Sequence, residues 1–336
     1  MKRLISIIIM GFLGLLLITG CQKDTSSAMS DQQLEDNAIR DILTNEDVEE
    51  GDYLVDWGID DGDQGNMYNG FSTFSTGSPF EKLLTPYDSV SRFGRILNRR
   101  IPRTIIIRRI SPDSILVNVE RVWGGNFIVV EPISNDSLLI HRKPLVHSVR
   151  RTTIFTKRLN DNDALQDPRR RWKLSGISMG KGQSRPATTL EIHQLDISTS
   201  SGDFYTFSNP LETIFSLPED LPTILQGDSV TVQVLVSNNS SNPFIDPNTG
   251  ATETLLLHYG INRFHRARRQ FRYMGVDPNT GFNLYEGSWR VHEPAMRPFH
   301  AVIDAIDNGT IYDSDGDMYP YNSATWGLPY RVVLNK

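Results

Sequence analysis

The sequence predicts an α+β domain, one helix against a curved antiparallel sheet, followed by an all-β sandwich. Three observations carry that expectation. An apolar stripe of helical period falls over residues 31–44. Long β-rich runs follow from about Ile101 to Ser178. After a Gly-containing stretch at 180–186, seven short strand-like runs recur with turn residues between them. The predicted boundaries are 31–180 for the first domain, 181–187 for a linker open to proteolysis, and 188–336 for the second domain.

The helix rests on Leu34, Ala38, Ile39, Ile42 and Leu43, which recur at three- and four-residue spacing, with Asp31 and Glu35 suited to its positive end. A loop-rich, glycine-rich stretch then runs to Pro79. Thr104–Ile107, Ser114–Val119 and Phe127–Val130 read as strands, with tight hairpins expected at Ser111-Pro112-Asp113 and at Gly124-Gly125. Leu145–Leu159 and Trp172–Ser178 complete an antiparallel meander. His141 and His147 would share a face if one strand held both, but Pro144 between them predicts a break. The element order over 31–180 weakly resembles the cone-shaped fold of the nuclear transport factor 2 type, which implies a concave sheet able to enclose a pocket.

In the second half the predicted strands are Thr188–Ile197, Ser229–Ser237, Glu253–Tyr259, Gln270–Met274, Gly287–His292, His300–Ile306 and Tyr330–Leu334. Seven short strands in about 150 residues resemble an immunoglobulin-like module without its disulfide. The pentapeptide Asp-Pro-Asn-Thr-Gly occurs at 246–250 and again at 277–281. Proline pre-sets the backbone, Asp and Asn bond back to it, and Gly takes the left-handed exit, so both read as hairpin turns.

Residues 1–21 are a separate signal. Met1-Lys2-Arg3 is a positive start, residues 4–18 are an almost unbroken apolar run, and Ile18-Thr19-Gly20-Cys21 closes it. This resembles the lipobox of bacterial lipoproteins, and Cys21 is the only cysteine in the chain. The resemblance implies cleavage before Cys21 and acylation of its thiol, so the membrane is the first partner, through lipid. Gln22 is not the aspartate that resembles an inner-membrane retention signal, and Gln22-Lys23-Asp24 resembles the short signal for the outer face of the outer membrane. Residues 22–30 are small and polar and read as a tether of about 15–18 Å reach. With the thiol acylated the mature chain forms no disulfide, and no later run reaches the ~18 apolar residues of a membrane span.

The candidate sites beyond Cys21 are modest. Asp313-Ser314-Asp315-Gly316-Asp317 places Asp313, Asp315 and Asp317 at positions 1, 3 and 5 of a calcium-type loop. Position 6 is Met318 and position 12 is Ala324, so the loop reads either as a weak calcium site or as a solvated acidic turn. Arg266, Arg268, Arg269 and Arg272 interleave with aromatics. Arginine forks suit carboxylates and sulfates, while alternation is also the pattern of a half-buried strand.

Charge is uneven along the chain. The 34 Lys and Arg against 40 Asp and Glu give −6 overall. Residues 31–63 hold thirteen acidic residues and one basic, and residues 92–173 hold eighteen basic and seven acidic. Such blocks either pair within the domain or present a basic surface to an anionic glycan or lipid headgroup.

No nucleophile elbow, His-Glu-x-x-His helix or phosphate loop is present, and an exported chain gives no reason to expect nucleic acid. The function predicted is therefore an outer-membrane-anchored envelope lipoprotein with a binding, assembly or structural role, its partner an envelope protein or glycan. The alternatives are a pocket enzyme or small-ligand binder in the α+β domain, decided by what fills the space between helix and sheet, and a calcium-stabilised surface adhesin.

Overall fold

Ser30 opens the first helix with a reciprocal cap: Gln33 N donates to its Oγ at 3.2 Å, and its own N donates to Gln33 Oε1 at 3.0 Å. Ser30 was expected as the last residue of a tether and is instead the start of folded structure. The computed structural model describes residues 30–44, 92–134, 137–158, 167–186, 188–260, 266–291, 299–313 and 315–334. In chain order the elements are α1 (Asp31–Thr44), β1 (Arg92–Ser111), β2 (Ser114–Ser134), β3 (Ser137–Lys157), a 3₁₀ turn (Pro168–Arg171), β4 (Trp172–Ser178), β5 (Gly180–Ser184), β6 (Leu190–Thr199), β7 (Phe204–Phe207) and β8 (Ile214–Ser216). They continue as β9 (Thr223–Leu225), β10 (Ser229–Asn238), β11 (Glu253–Gly260), β12 (Arg266–Gln270), β13 (Arg272–Val276), β14 (Asn283–Arg290), β15 (Phe299–Asp307), α2 (Asn308–Tyr312) and β16 (Ser323–Val333).

The chain is mostly β, as expected, but its strands are shared out differently. One sheet runs β1-β2-β3-β5-β16-β15-β11-β12, and a five-stranded sheet runs β13-β14-β10-β6-β7. Residues 181–184, expected as linker, lie in β5, hydrogen-bonded to β3 on one side and β16 on the other. The first sheet thus crosses the expected domain boundary. Glycine did not loosen this segment. Gly182 is required because a Cβ there would fall 2.1 Å from Thr325 Oγ1 and 2.7 Å from His147 Nε2.

Two other expected breaks are strand interior. β2 passes straight through Gly124-Gly125, where a Cβ on Gly125 would meet the Ile96 carbonyl at 2.0 Å, so glycine admits the bulged β1 backbone instead of making a turn. β3 passes through Pro144, which pairs with Asn126 of β2. The described pairing of β5 with β3 covers only His147–Arg150, so Pro144 stands where β3 has one described neighbour and its missing N–H is tolerated. His141 and His147 therefore do lie on one strand and one face.

The two pentapeptides divide. Asp277–Gly281 is the expected hairpin turn between β13 and β14, with Gly281 at φ 74°. Asp246–Gly250 shares the glycine N–H to Asp carbonyl and the Thr Oγ1 to Asp Oδ2 bonds, with φ 81° at Gly250, but it joins β10 in the second sheet to β11 in the first.

Residues paired in register share a face, so faces can be followed across the first sheet. Trp123, His147 and Ser184 are successive partners, as are Gly182, Thr325 and Asp304. The opposite face carries Trp326, Leu328 and Tyr330 and meets the second sheet, with Trp289 5.5 Å from Tyr259 and 6.1 Å from Tyr330 by ring centroids. At the other end, Ile39, Ile42 and Leu43 of α1 join the buried apolar cluster with Ile115, Val117, Phe155 and Trp172.

Candidate functional site

Arg95 on β1 and Asp304 on β15 are five strands apart in sheet order, about 24 Å if the sheet were flat. They are in contact. Arg95 Nη1 donates to Asp304 Oδ2 at 2.5 Å and Nη2 to Oδ1 at 2.8 Å, with the side chains 3% and 1% exposed. The sheet therefore curls on itself, and its concave face closes around a polar cluster. Arg95 Nε donates to Tyr321 OH at 2.8 Å, and Nη2 also reaches Ser323 Oγ, which donates to Asp304 Oδ1 at 2.9 Å. Tyr321 OH lies 3.0 Å from His147 Nδ1, and His147 Nε2 lies 3.3 Å from Thr325 Oγ1. His258 Nε2 stands 3.4 Å from Asp304 Oδ2.

Burial opposes ionisation of Asp304, but the Arg95 guanidinium and His258 outweigh it and hold the carboxyl well below the usual range. Burial pushes the Tyr321 hydroxyl up to about 12. The groups are convergent and titratable, yet Arg95, Asp304, His147 and His258 are all buried. Arg95, Asp304, Tyr321, Ser323, His147 and Thr325 bond to one another in an internal polar network, with His258 beside Asp304. Sequence reading missed it because its members come from five strands and no local pattern joins Arg95 to residues 209 and 228 positions away.

A second buried set lies at the far edge of the same sheet. Glu253 and Asp307 are direct cross-strand partners between β11 and β15. Asn283 Nδ2 and Tyr285 OH donate to Glu253 Oε1 at 2.8 and 3.1 Å, Thr252 Oγ1 donates to Oε2, and Asn238 Nδ2 donates to Asp307 Oδ2 at 2.8 Å. Burial raises both carboxyl pKa values.

Two of the three loop aspartates, Asp313 and Asp315, are brought near a cation of the chain itself. Lys143 on β3 is buried and donates to the Gly309 carbonyl at 2.8 Å and the Tyr319 carbonyl at 2.6 Å. Burial lowers its ammonium to about 8, while Asp313, Asp307 and Asp315 pull the other way. Asp313 Oδ1 accepts from Asp315 N at 2.7 Å, and Asp315 Oδ1 accepts from Asp317 N and Met318 N at 2.9 and 3.0 Å. These carboxylates cap their own turn. Among the described residues no group of three acidic, His or Cys side chains is gathered as a metal site.

The arginine-rich run is two edge strands. Arg266–Gln270 pairs with β11 in the first sheet, the chain crosses over at buried Phe271, and Arg272–Val276 pairs with β14 in the second. The expected strand Gln270–Met274 is broken there because Phe271 packs into the space left by Gly287, where a Cβ would come within 2.8 Å of its ring. Arg269 lies 6.0 Å from the Tyr259 ring centroid, and Arg272 pairs with Glu286 at 3.1 Å. Arg266 and Arg268 are placed by backbone alone, and Cys21 lies outside the described residues.

An open groove of about 510 Å³ lies on the outer face of β1–β3. Asn118, Glu120, Arg150 and Thr152 line its floor, and Arg185 and Leu211 form its wall. Arg185 Nη2 pairs with Glu120 Oε1, and Thr152 Oγ1 donates to Asn118 Oδ1 at 3.0 Å. Arg150 is exposed beside them. Two guanidiniums with one carboxylate among amides and hydroxyls suit an anionic or polyhydroxylated ligand.

No described helix is long and apolar enough to cross a membrane. No family model matches the chain, and no curated protein matches it. A solved structure of extended synaptotagmin 2, comprising its SMP domain and two C2 domains, aligns with 9% identity over 71% of this chain and 88% of that one. Its TM-score is 0.16, and at that level the likeness carries no argument.

Proposed function

We propose that the chain is a lipid-anchored outer-membrane lipoprotein with a binding or assembly role and no catalytic step, and that its partner face is the groove on the outer side of β1–β3. The observation that carries the reading is Cys21: the single thiol of the chain falls at the end of a lipobox. Two structural features support the binding role over the pocket-enzyme alternative. Ile39, Ile42 and Leu43 fill the space beneath α1 with apolar side chains, and the convergent titratable groups are buried inside the sheet. The groove offers Arg150 and Arg185 to an acidic envelope glycan or protein segment.

The anchor is tested by Cys21→Ser. That variant should lose fatty-acid labelling and accumulate as unprocessed or soluble protein, and persistent labelling in the membrane fraction would refute the anchor. For the groove, Arg150→Glu with Arg185→Glu should abolish recovery of a cross-linked partner from solubilised outer membrane while α1 and both sheets stay folded. Undiminished recovery would move the partner site elsewhere.

A further inference from the structure

We propose that the end of the molecule carrying the β1–β2 turn is a bilayer-facing surface that rests on anionic lipid headgroups, with Ile110 at the interface. The inference depends on the acyl anchor proposed above and deepens it.

Contacts with β1 set the direction of α1. Arg109 donates from Nη1 to Glu35 Oε2 at 2.9 Å and from Nη2 to Asp36 Oδ1 at 2.8 Å, while Arg103 donates to the Leu43 carbonyl. α1 thus runs antiparallel to β1, and its first turn stands beside the β1–β2 turn. Asp31 is ten residues beyond Cys21, and ten residues span at most about 35 Å. An acylated Cys21 keeps this end within that distance of the lipid. The other end of β2, 21 residues long, lies about 70 Å away along the strand.

What gathers at this end is cationic. β3 finishes here, with Thr156 opposite Ser114 and Lys157 N donating to the Asp113 carbonyl at 2.9 Å. β4 begins here, with Trp172 opposite Lys157, and the Pro168–Arg171 turn precedes it. Arg108, Arg158, Arg170 and Lys173 are exposed. Glu35 is met by Arg109 and Lys157, Asp36 by Arg109, and Asp167 by Arg169. Asp31, Asp41 and Asp113 are the other acidic residues among those described at this end. Ile110, one residue before β1 ends, is 57% exposed. A basic surface around an exposed aliphatic tip is what an anionic lipid surface attracts, and the attraction acts only within about a Debye length, a range that the short connection to Cys21 allows this end to enter.

The native chain has no cysteine besides Cys21, so Ile110→Cys in the full-length lipidated protein offers one site for an environment-sensitive dye. In vesicles of phosphatidylcholine mixed with phosphatidylglycerol the dye should emit blue-shifted and resist an aqueous quencher; in phosphatidylcholine alone it should not. The same dye at Phe204→Cys, on the second sheet and 66% exposed, should stay quenchable in both. Arg108→Glu with Lys173→Glu should remove the shift at position 110 and leave flotation intact.

Equal quenching at 110 in every vesicle, with the protein floating, overturns the proposal, and so does a shift that survives both the neutral lipid and the charge reversal. Shielding that requires added envelope protein would mark a protein surface and overturn it too. A chain that takes up two dyes and does not float has no acyl anchor. That result removes the parent reading, and the proposal with it, by a different route.

Discussion

Arg95 and Asp304, 209 residues apart in the chain, form a two-pronged ion pair that closes the first sheet on itself. The pair is buried, and Arg95 also donates to Tyr321 and Ser323 of the same concave face.

Removing one partner leaves the other charged and buried. Arg95→Ala should therefore cost about 3–5 kcal/mol, read as a lowered urea midpoint, whereas Arg95→Met combined with Asp304→Leu should recover most of that loss. A single mutant within about 1 kcal/mol of wild type would mean that the pair does not hold the curl.

β5 is predicted to behave as a central strand. Amides of Lys181 and Gln183 should exchange slowly, and protease should spare residues 180–184, because β3 and β16 flank the segment. Gly182→Ala should destabilise by about 1–3 kcal/mol through its clash with Thr325 and His147. Early cleavage at this segment into two stable fragments would restore an inter-domain linker.

Glu253 and Asp307 should shape the acid side of the stability profile. Both folded-state values lie above the ordinary ones, so the native state holds these protons longer than the unfolded chain does. Their contribution is full below the ordinary carboxyl values, 4.5 for Glu253 and 3.8 for Asp307, and is lost as pH rises through the raised values. Glu253→Gln should flatten that decline in denaturant titrations run from about pH 4 to 8. An unchanged slope would show that the buried pair does not titrate with folding.

Lys143 should act on the alkaline side with the opposite sign. Its ammonium falls from 10.5 unfolded to about 8 folded, so the unfolded chain binds the extra proton between those values and stability should rise with pH there. The window to measure is about pH 8 to 10, before tyrosines ionise in the unfolded chain. Lys143→Met should remove the rise. It should also lower stability throughout, because the Gly309 and Tyr319 carbonyls lose their donor.

Calcium should do little to the melting temperature. Lys143 already lies close to Asp313 and Asp315, and Asp315 is occupied by backbone N–H groups. Comparison of chelator with millimolar calcium checks this, and an upward shift abolished by Asp315→Ala would reinstate the cation loop.

Periodicity reaches only as far as neighbours in the chain. Within that reach it performed well: Ala38, Ile39, Ile42 and Leu43 are the buried stripe of α1, though Leu34, expected in the same stripe, is exposed in the helix's first turn; Trp172–Ser178 is a strand, and Ser111-Pro112-Asp113 and Asp277–Gly281 are turns. It failed where glycine and proline act through a distant contact. Gly124-Gly125, Pro144 and Gly182 read locally as breaks, yet each lies inside a strand whose neighbour supplies the reason. The candidate arginines were similarly half-legible, since their alternation pointed to a strand and the crossing at Phe271 depends on Gly287 in another.

The sequence by itself determined the helix over 31–44, most of the strands and the concentration of positive charge in 92–173, because each follows from residue type and spacing along one segment. Only the tertiary structure decided that one sheet spans both halves, that Arg95 meets Asp304, that Lys143 sits beside the aspartate turn, and that the basic end stands next to the start of α1. Those relationships are contacts between segments far apart in the chain. Their energies come from register, curvature and exclusion of water, which no single segment carries.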